Sequence, residues 1–120
     1  MPKYVDGFVL AVPKKNLPAY LKMAKAASKV WMEYGALEYR ESVGEDLNSE
    51  FGTPFTKLAK TKPNETVVFS WIVYKSRAHR DKVNAKVMKD PRMNEMCDPK
   101  NPPFDTKRMS YGGFTIEVSA

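Results

Sequence analysis

The sequence predicts an α+β fold of element order βα-β-βαβ, in which a four-stranded antiparallel sheet carries both helices on one face. Three observations lead there. Residues 4–12 and 66–74 are dense in β-branched and aromatic side chains and read as strands. Each is followed by a stretch with a capping residue, helical periodicity and a stop signal. Two further strand-length segments complete two βαβ-like halves.

The first strand, 4–12, ends at Pro13. Asn16 then offers an N-cap, Pro18 sits in a first turn where its missing N–H costs nothing, and Gly35 suits a left-handed residue past the helix end. Between them Leu17, Leu21, Ala24, Ser28 and Trp31 recur at steps of three and four and predict one buried stripe. Residues 36–45 alternate Leu37, Tyr39 and Val43 with Glu38, Arg40 and Ser42, as a second strand would. Residues 46–63, rich in polar groups and broken by Gly52, Pro54 and Pro63, predict a long loop, a feature often tied to function or mobility. The third strand, 66–74, is apolar on both faces and calls for cover on both.

Ser76 is the expected cap of a second helix that reaches about Lys89, where Asp90-Pro91 stops it, with Val83 and Val87 on its buried side and His79 one turn earlier. Asp90 is placed to cap a short helical piece through Met96. Residues 98–105, with three prolines, form an extended connector to a last strand over 107–118. Two helices cover only one sheet face. The face that bears Phe69 and Trp71 therefore needs a partner, and a second copy packed sheet against sheet is the simplest.

A chain of 120 residues suits one domain, 1–120, with room for a modest core. Its apolar share of 42% is ordinary for a folded protein, and no uncharged apolar run is long enough for a membrane span. The first residues have no apolar signal core, and Cys97 is the sole cysteine, so a reducing, cytoplasmic setting is expected and an intramolecular disulfide is excluded. The net charge of +6 raises an acidic partner, but Lys22, Lys25 and Lys29, like Lys82, Lys86 and Lys89, fall at the spacing of solvated helix faces.

The segments Tyr4-Val5-Asp6-Gly7-Phe8-Val9-Leu10, 67–88 and Lys107-Arg108-Met109-Ser110-Tyr111-Gly112-Gly113-Phe114 together resemble the YbaA-like bacterial family of unknown function. The stretch Val68-Phe69-Ser70-Trp71-Ile72-Val73-Tyr74-Lys75-Ser76-Arg77-Ala78-His79-Arg80-Asp81 is the most specific part. The resemblance implies a ferredoxin-like subunit of a dimeric α+β barrel. That group includes cofactor-free monooxygenases, haem-degrading enzymes, isomerases and proteins with no known activity, so the fold selects no reaction. The resemblance supplies no catalytic residue.

One His and one Cys make no zinc site at the usual spacings, no EF-hand loop is present, and neither metal nor cofactor is expected. Gly112-Gly113 lies within an apparent strand and precedes no helix, so it predicts a bulge or a close backbone approach rather than a phosphate cradle. Asp6 shares a strand face with Tyr4, Phe8 and Leu10. If that face lines a barrel together with Trp71, the carboxyl lies in an apolar pocket where desolvation raises its pKa; the alternative is a solvent-facing acid or one paired with a base. Glu41, in phase with Leu37, Tyr39 and Val43, is a second inward acid, and Tyr39 and Trp71 are aromatic wall candidates. His79 is the lone imidazole for proton transfer, or else a core or capping histidine, and Arg77 and Arg80 beside it are either an anion clamp or solvated.

Three functions compete. The first is a small-molecule pocket inside a dimeric barrel, with Asp6, Tyr39, Glu41, Trp71 and His79 as its candidate lining. The second is RNA binding through Phe69, Trp71 and Tyr74, disfavoured because Val67-Val68 stands where that motif wants a basic residue and glycine, and because the lysines lie on the helices. The third is a non-catalytic structural or regulatory dimer.

Overall fold

Two ten-residue strands of mostly β-branched and aromatic residues form the centre of the sheet, and the computed structural model describes residues 2–96 and 100–120 around them. The elements are β1 (Tyr4–Pro13), α1 (Leu17–Glu33), β2 (Glu38–Val43), α2 (Phe55–Leu58), β3 (Glu65–Tyr74), α3 (Arg77–Lys89), α4 (Pro91–Met96) and β4 (Ser110–Thr115). Short 3₁₀ turns precede α1 and β4. The sheet order is β2-β3-β1-β4 and every neighbouring pair is antiparallel. The predicted α+β architecture is therefore present. Cys97 and the start of the predicted 98–105 connector lie outside the described residues.

The register decides which side chains share a face. Asp6 pairs with Ile72 and Leu10 with Val68, so the even-numbered positions of β1 and β3 point together toward the helices. Tyr39 opposite Ile72 and Glu41 opposite Ser70 extend that face onto β2. Two groups of buried side chains sit there. One holds Val30, Ala36, Ile72, Tyr74, Val83 and Val87; the other holds Leu10, Val12, Tyr20, Ala24 and Val68; Phe8 packs against both.

The buried side of α1 is Tyr20, Ala24, Ala27 and Val30, one residue out of phase with much of the predicted stripe. Leu21 is 37% exposed, and Ser28 donates its hydroxyl to the Lys25 carbonyl. The cause lies upstream: the chain winds into α1 through the 3₁₀ turn Lys14–Asn16, which sets the helix phase. Asn16 consequently has helical backbone angles and makes no side-chain cap; its Nδ2 instead donates to the Pro103 carbonyl at 3.2 Å. Pro18 is in the first turn as predicted, and Gly35 takes the expected left-handed φ of +110°. A side chain at Gly35 would also crowd His79 Nε2.

Ser76 caps α3, accepting from the His79 N–H at 3.1 Å, and Asp90 Oδ1 accepts from the Arg92 N–H at 2.9 Å at the start of α4. The outer strands are shorter than predicted, and the 46–63 loop holds α2, whose Phe55 ring meets Phe69 edge-on at 6.0 Å. Gly113 makes the close approach rather than a bulge: the β1–β4 ladder runs unbroken, and a Cβ there would strike the Tyr4 hydroxyl. No helix among the described residues is long and apolar enough to cross a membrane.

Candidate functional site

The space between the two buried groups is a cavity of about 330 Å³, partly open to solvent and lined by the sheet, α1, α3, α4 and the segment that leads to β4. Its small wall is α1, where Ala24 and Ala27 face the sheet and leave room that larger residues would fill. Its apolar walls are Phe8, Trp31, Phe104 and Tyr111, with five of the seven methionines, Met23, Met88, Met93, Met96 and Met109. Thioether side chains adapt to irregular shapes, which suits a wall as uneven as this one.

The polar groups gather in two places. At one, the Glu41 carboxylate accepts from the Tyr20 hydroxyl at 2.7 Å and from the Tyr39 hydroxyl at 2.9 Å. Burial, reinforced by Glu41, holds both phenols far above their ordinary pKa, so they stay protonated and bound to it. At the other, Asn84 Oδ1 accepts from Trp31 Nε1 and from the Tyr74 hydroxyl, both at 3.1 Å. Beside it stands Asp6, 1% exposed. Burial raises the Asp6 pKa above the usual carboxylate range, although Arg80, Asn84, Tyr111 and Tyr74 pull it down. The Arg80 Nε lies 3.5 Å from Asp6 Oδ1, and neither atom has a hydrogen-bond partner. Arg80 spends its other contacts on the Tyr4 hydroxyl at 3.2 Å and on Asp81 at 3.4 Å. The Asp6 carboxyl is thus buried at the edge of an apolar cavity and ion-paired with Arg80, with the facing atoms outside hydrogen-bond geometry.

Of the five residues singled out from the sequence, the fold gathers Asp6, Tyr39 and Glu41 around this cavity. Trp71 stays on the open sheet face expected to line a barrel, where it pairs with Gly7 and its Nε1 donates to Glu38 at 2.8 Å; Asp6, Tyr39 and Glu41 lie on the opposite, helix-covered side, a correction to the shared barrel pocket expected for them. His79 is not among the lining residues either. Its N–H meets the Ser76 cap, its Nδ1 accepts from the Lys75 N–H at 3.0 Å, and burial with nearby lysines lowers its pKa. It is a neutral structural histidine. Arg77 pairs with Asp81 and Arg80 with Asp6 and Asp81, so the two arginines make no anion clamp. Tyr74 is fully buried on the helix face, which leaves only Phe69 and Trp71 of the proposed stacking trio on the open one. Among the described residues no group of three or more His, Cys, Asp or Glu is placed to hold a metal.

Tyr20, Ser70, Asn84 and Tyr111 escaped the sequence reading. Tyr20 was findable, since it lies one turn before Ala24; Asn84 was not, because a polar residue beside Val83 looks like any flank of a helix stripe.

A β2-β3-β1-β4 antiparallel sheet with helices on one face defines a ferredoxin-like α+β domain, and solved structures agree. A dimeric ferredoxin-like protein from an uncultured marine organism superposes with a TM-score of 0.61 over the whole of both chains at 12% identity. An uncharacterised NIPSNAP domain protein from Burkholderia xenovorans gives 0.61 at 15% identity, covering 98% of this chain and 97% of that one. The chain belongs to the family described as "Protein of unknown function (DUF1428)", whose model matches residues 3–106. It is 48% identical over 112 residues to the uncharacterised protein YbaA of Escherichia coli K12, spanning 93% of this chain and 94% of that protein, and equally to YbaA of Shigella flexneri.

Proposed function

We propose that the chain is a cytoplasmic homodimer, each subunit folding as one domain over 1–120 and holding a small, largely apolar molecule between its sheet and helices. The observation that carries the ligand reading is the cavity itself: about 330 Å³, walled by aromatic and methionine side chains, with Asp6 buried at its edge. Ligand sites in proteins are typically pockets of this kind, apolar with a few convergent polar groups and a perturbed acid. The lone cysteine of the sequence supports the cytoplasmic setting, and the dimeric description of the ferredoxin-like neighbour supports the pairing.

The test is a thermal-shift screen of neutral one- and two-ring aromatic compounds. Binding at a hundredfold excess over the dissociation constant stabilises a fold by about 2.7 kcal/mol, which moves the melting temperature by several degrees. Ala24→Phe, which projects a ring from α1 into the cavity, is expected to abolish the shift while the protein stays folded; Ala27→Leu is the milder companion. Shifts that persist in both variants would place binding elsewhere and sink the cavity reading.

A further inference from the structure

The charges around the cavity do not cancel. Asp6 faces Arg80, whose Nε stands 3.5 Å from its Oδ1. Arg40 borders the cavity from β2, but it lies opposite Trp71 in the sheet register, and its guanidinium pairs with Glu38 at 3.6 Å on the face turned away from the helices. That leaves Glu41, half-buried on the helix-facing side opposite Ser70, with β3 between it and Asp6. Among the described residues no lysine or arginine pairs with it. Its two oxygens accept one phenol each, from Tyr20 and Tyr39, and a carboxylate has room for about four such bonds.

The other polar groups of the wall are matched within the protein. Asn84 Oδ1 accepts from Trp31 Nε1 and from the Tyr74 hydroxyl. The Asn84 amide and the Tyr111 hydroxyl stand beside Asp6, and the Ser70 hydroxyl stands beside that of Tyr20. What remains for a ligand is negative charge and acceptor capacity at Glu41. The rings around it have an order. Tyr39 lies 5.9 Å from Trp31 and Tyr20 lies 5.5 Å from Phe104, so the carboxylate stands between two aromatic pairs, and all four rings line the cavity. Aromatic faces attract cations, and Trp and Tyr do so best. A hard metal ion is poorly served here, since it wants several oxygen ligands rather than one carboxylate among rings. An organic ammonium ion is well served, because its charge meets Glu41 and its carbon body meets the apolar walls. An apolar cavity of about 150 Å³ holds one benzene ring, and this one, at about 330 Å³, has room for a larger body.

From these observations we infer that the cavity takes an organic ammonium ion with an aromatic body, its charge seated against the Glu41 carboxylate between the Tyr39–Trp31 and Tyr20–Phe104 pairs. This rests on the ligand-cavity reading above and adds the charge and the seat of the ligand to it. A neutral molecule leaves the carboxylate without a counter-charge, and an anion meets repulsion that apolar surroundings screen poorly. On a chain of net charge +6 a cation gains nothing from the overall field, so affinity for one reports a local site.

The experiment compares compounds that share the same rings: 2-naphthylmethylamine, a cation at neutral pH; 2-naphthylmethanol, its uncharged counterpart; and 2-naphthoate, an anion. Binding is followed by calorimetry at neutral pH. The wild-type protein is expected to bind the amine roughly tenfold or more tighter than the alcohol, the scale of a hydrogen bond to a charged group, and to bind the anion least. Glu41→Gln should remove most of the preference for the amine. If Glu41 served only to hold Tyr20 and Tyr39, the same substitution would weaken amine and alcohol alike and leave their ratio unchanged. Equal binding of amine and alcohol by the wild type, or a preference that survives Glu41→Gln, would overturn the assignment and leave Glu41 as a support for the two tyrosines. Tighter binding of naphthoate would overturn it as well. Each of those results leaves the cavity reading standing. If none of the three binds and no neutral aromatic raises the melting temperature, the cavity reading itself fails, and this inference with it. Should Glu41→Gln not fold, the wild-type ranking of amine, alcohol and anion still decides.

Discussion

Asp6 is where the fold sets stability against a function. Burial raises its pKa above the ordinary 3.8 even with Arg80 beside it, so the native state holds this proton more tightly than the unfolded chain does. A group of that kind contributes most to stability below its unfolded pKa, and the contribution is lost as pH rises through the higher native value. Asp6→Asn keeps the shape and removes the charge. It is expected to be more stable than the wild type at neutral pH and to lose the advantage below pH 3.8. Thermal melts of both proteins across that range check it, and a variant less stable at neutral pH would show that attraction to Arg80 outweighs burial. The sequence pointed to Asp6, Tyr39 and Glu41 because alternation along a single strand is visible in one dimension. The face shared by Asp6 and Trp71 was misjudged for a reason just as physical: whether residue 71 or 72 shares a face with Asp6 depends on the register between β1 and β3, and no single strand contains that information.

At the scale of elements, the long loop before β3 is pinned rather than loose. Arg108 donates to both Glu65 oxygens at 2.7 and 2.9 Å and also reaches the Lys60 carbonyl at 2.8 Å, while the Lys62 N–H donates to Glu65 at 2.8 Å. One two-pronged clasp thus ties the loop, the first residue of β3 and the 3₁₀ turn before β4. Arg108, aided by Lys62, lowers the Glu65 pKa from 4.5 to about 2 despite its burial. The depressed value means the clasp contributes fully above 4.5 and is lost as pH falls toward about 2. Glu65→Gln is expected to cost about 2 kcal/mol at neutral pH, the scale of hydrogen bonds to a charged group. Chemical denaturation at a series of pH values should show the deficit narrowing from the acid side of 4.5, and a constant gap would exclude the clasp as its source. Local patterns located β1, β3, α1 and α3, whose residues carry their own propensity and caps. Features set by contact with distant chain went unread. The end of β2 follows from the last rung of its ladder, Val43 opposite Val68, and the phase of α1 follows from the turn before it.

The sheet has one face covered by α1, α3 and α4 and one left largely open, met by α2 only where Phe55 touches Phe69. On the open side Gly7 and Gly112 lie opposite each other and make a trough of bare backbone, bordered by Val9, Phe69, Trp71 and Phe114. Phe69 is 42% and Phe114 60% exposed. A continuous apolar patch of this sort in a protein without a membrane-length helix asks for a partner, and two twisted sheets pack face to face at about 10 Å with side chains interleaved. Light scattering across a wide concentration range is expected to give twice the chain mass of 13.7 kDa. Val9→Glu and Phe69→Glu place a carboxylate in the middle of that face, where pairing would bury an unmatched charge at a cost of several kcal/mol, and each should yield monomers. Because the cavity lies on the opposite side of the sheet, the monomers are expected to keep the ligand-induced thermal shift. A dimer built through the helices would behave in the reverse way, with both substitutions leaving the mass unchanged, and a wild-type chain that stays monomeric at every concentration would remove the second copy from that face altogether.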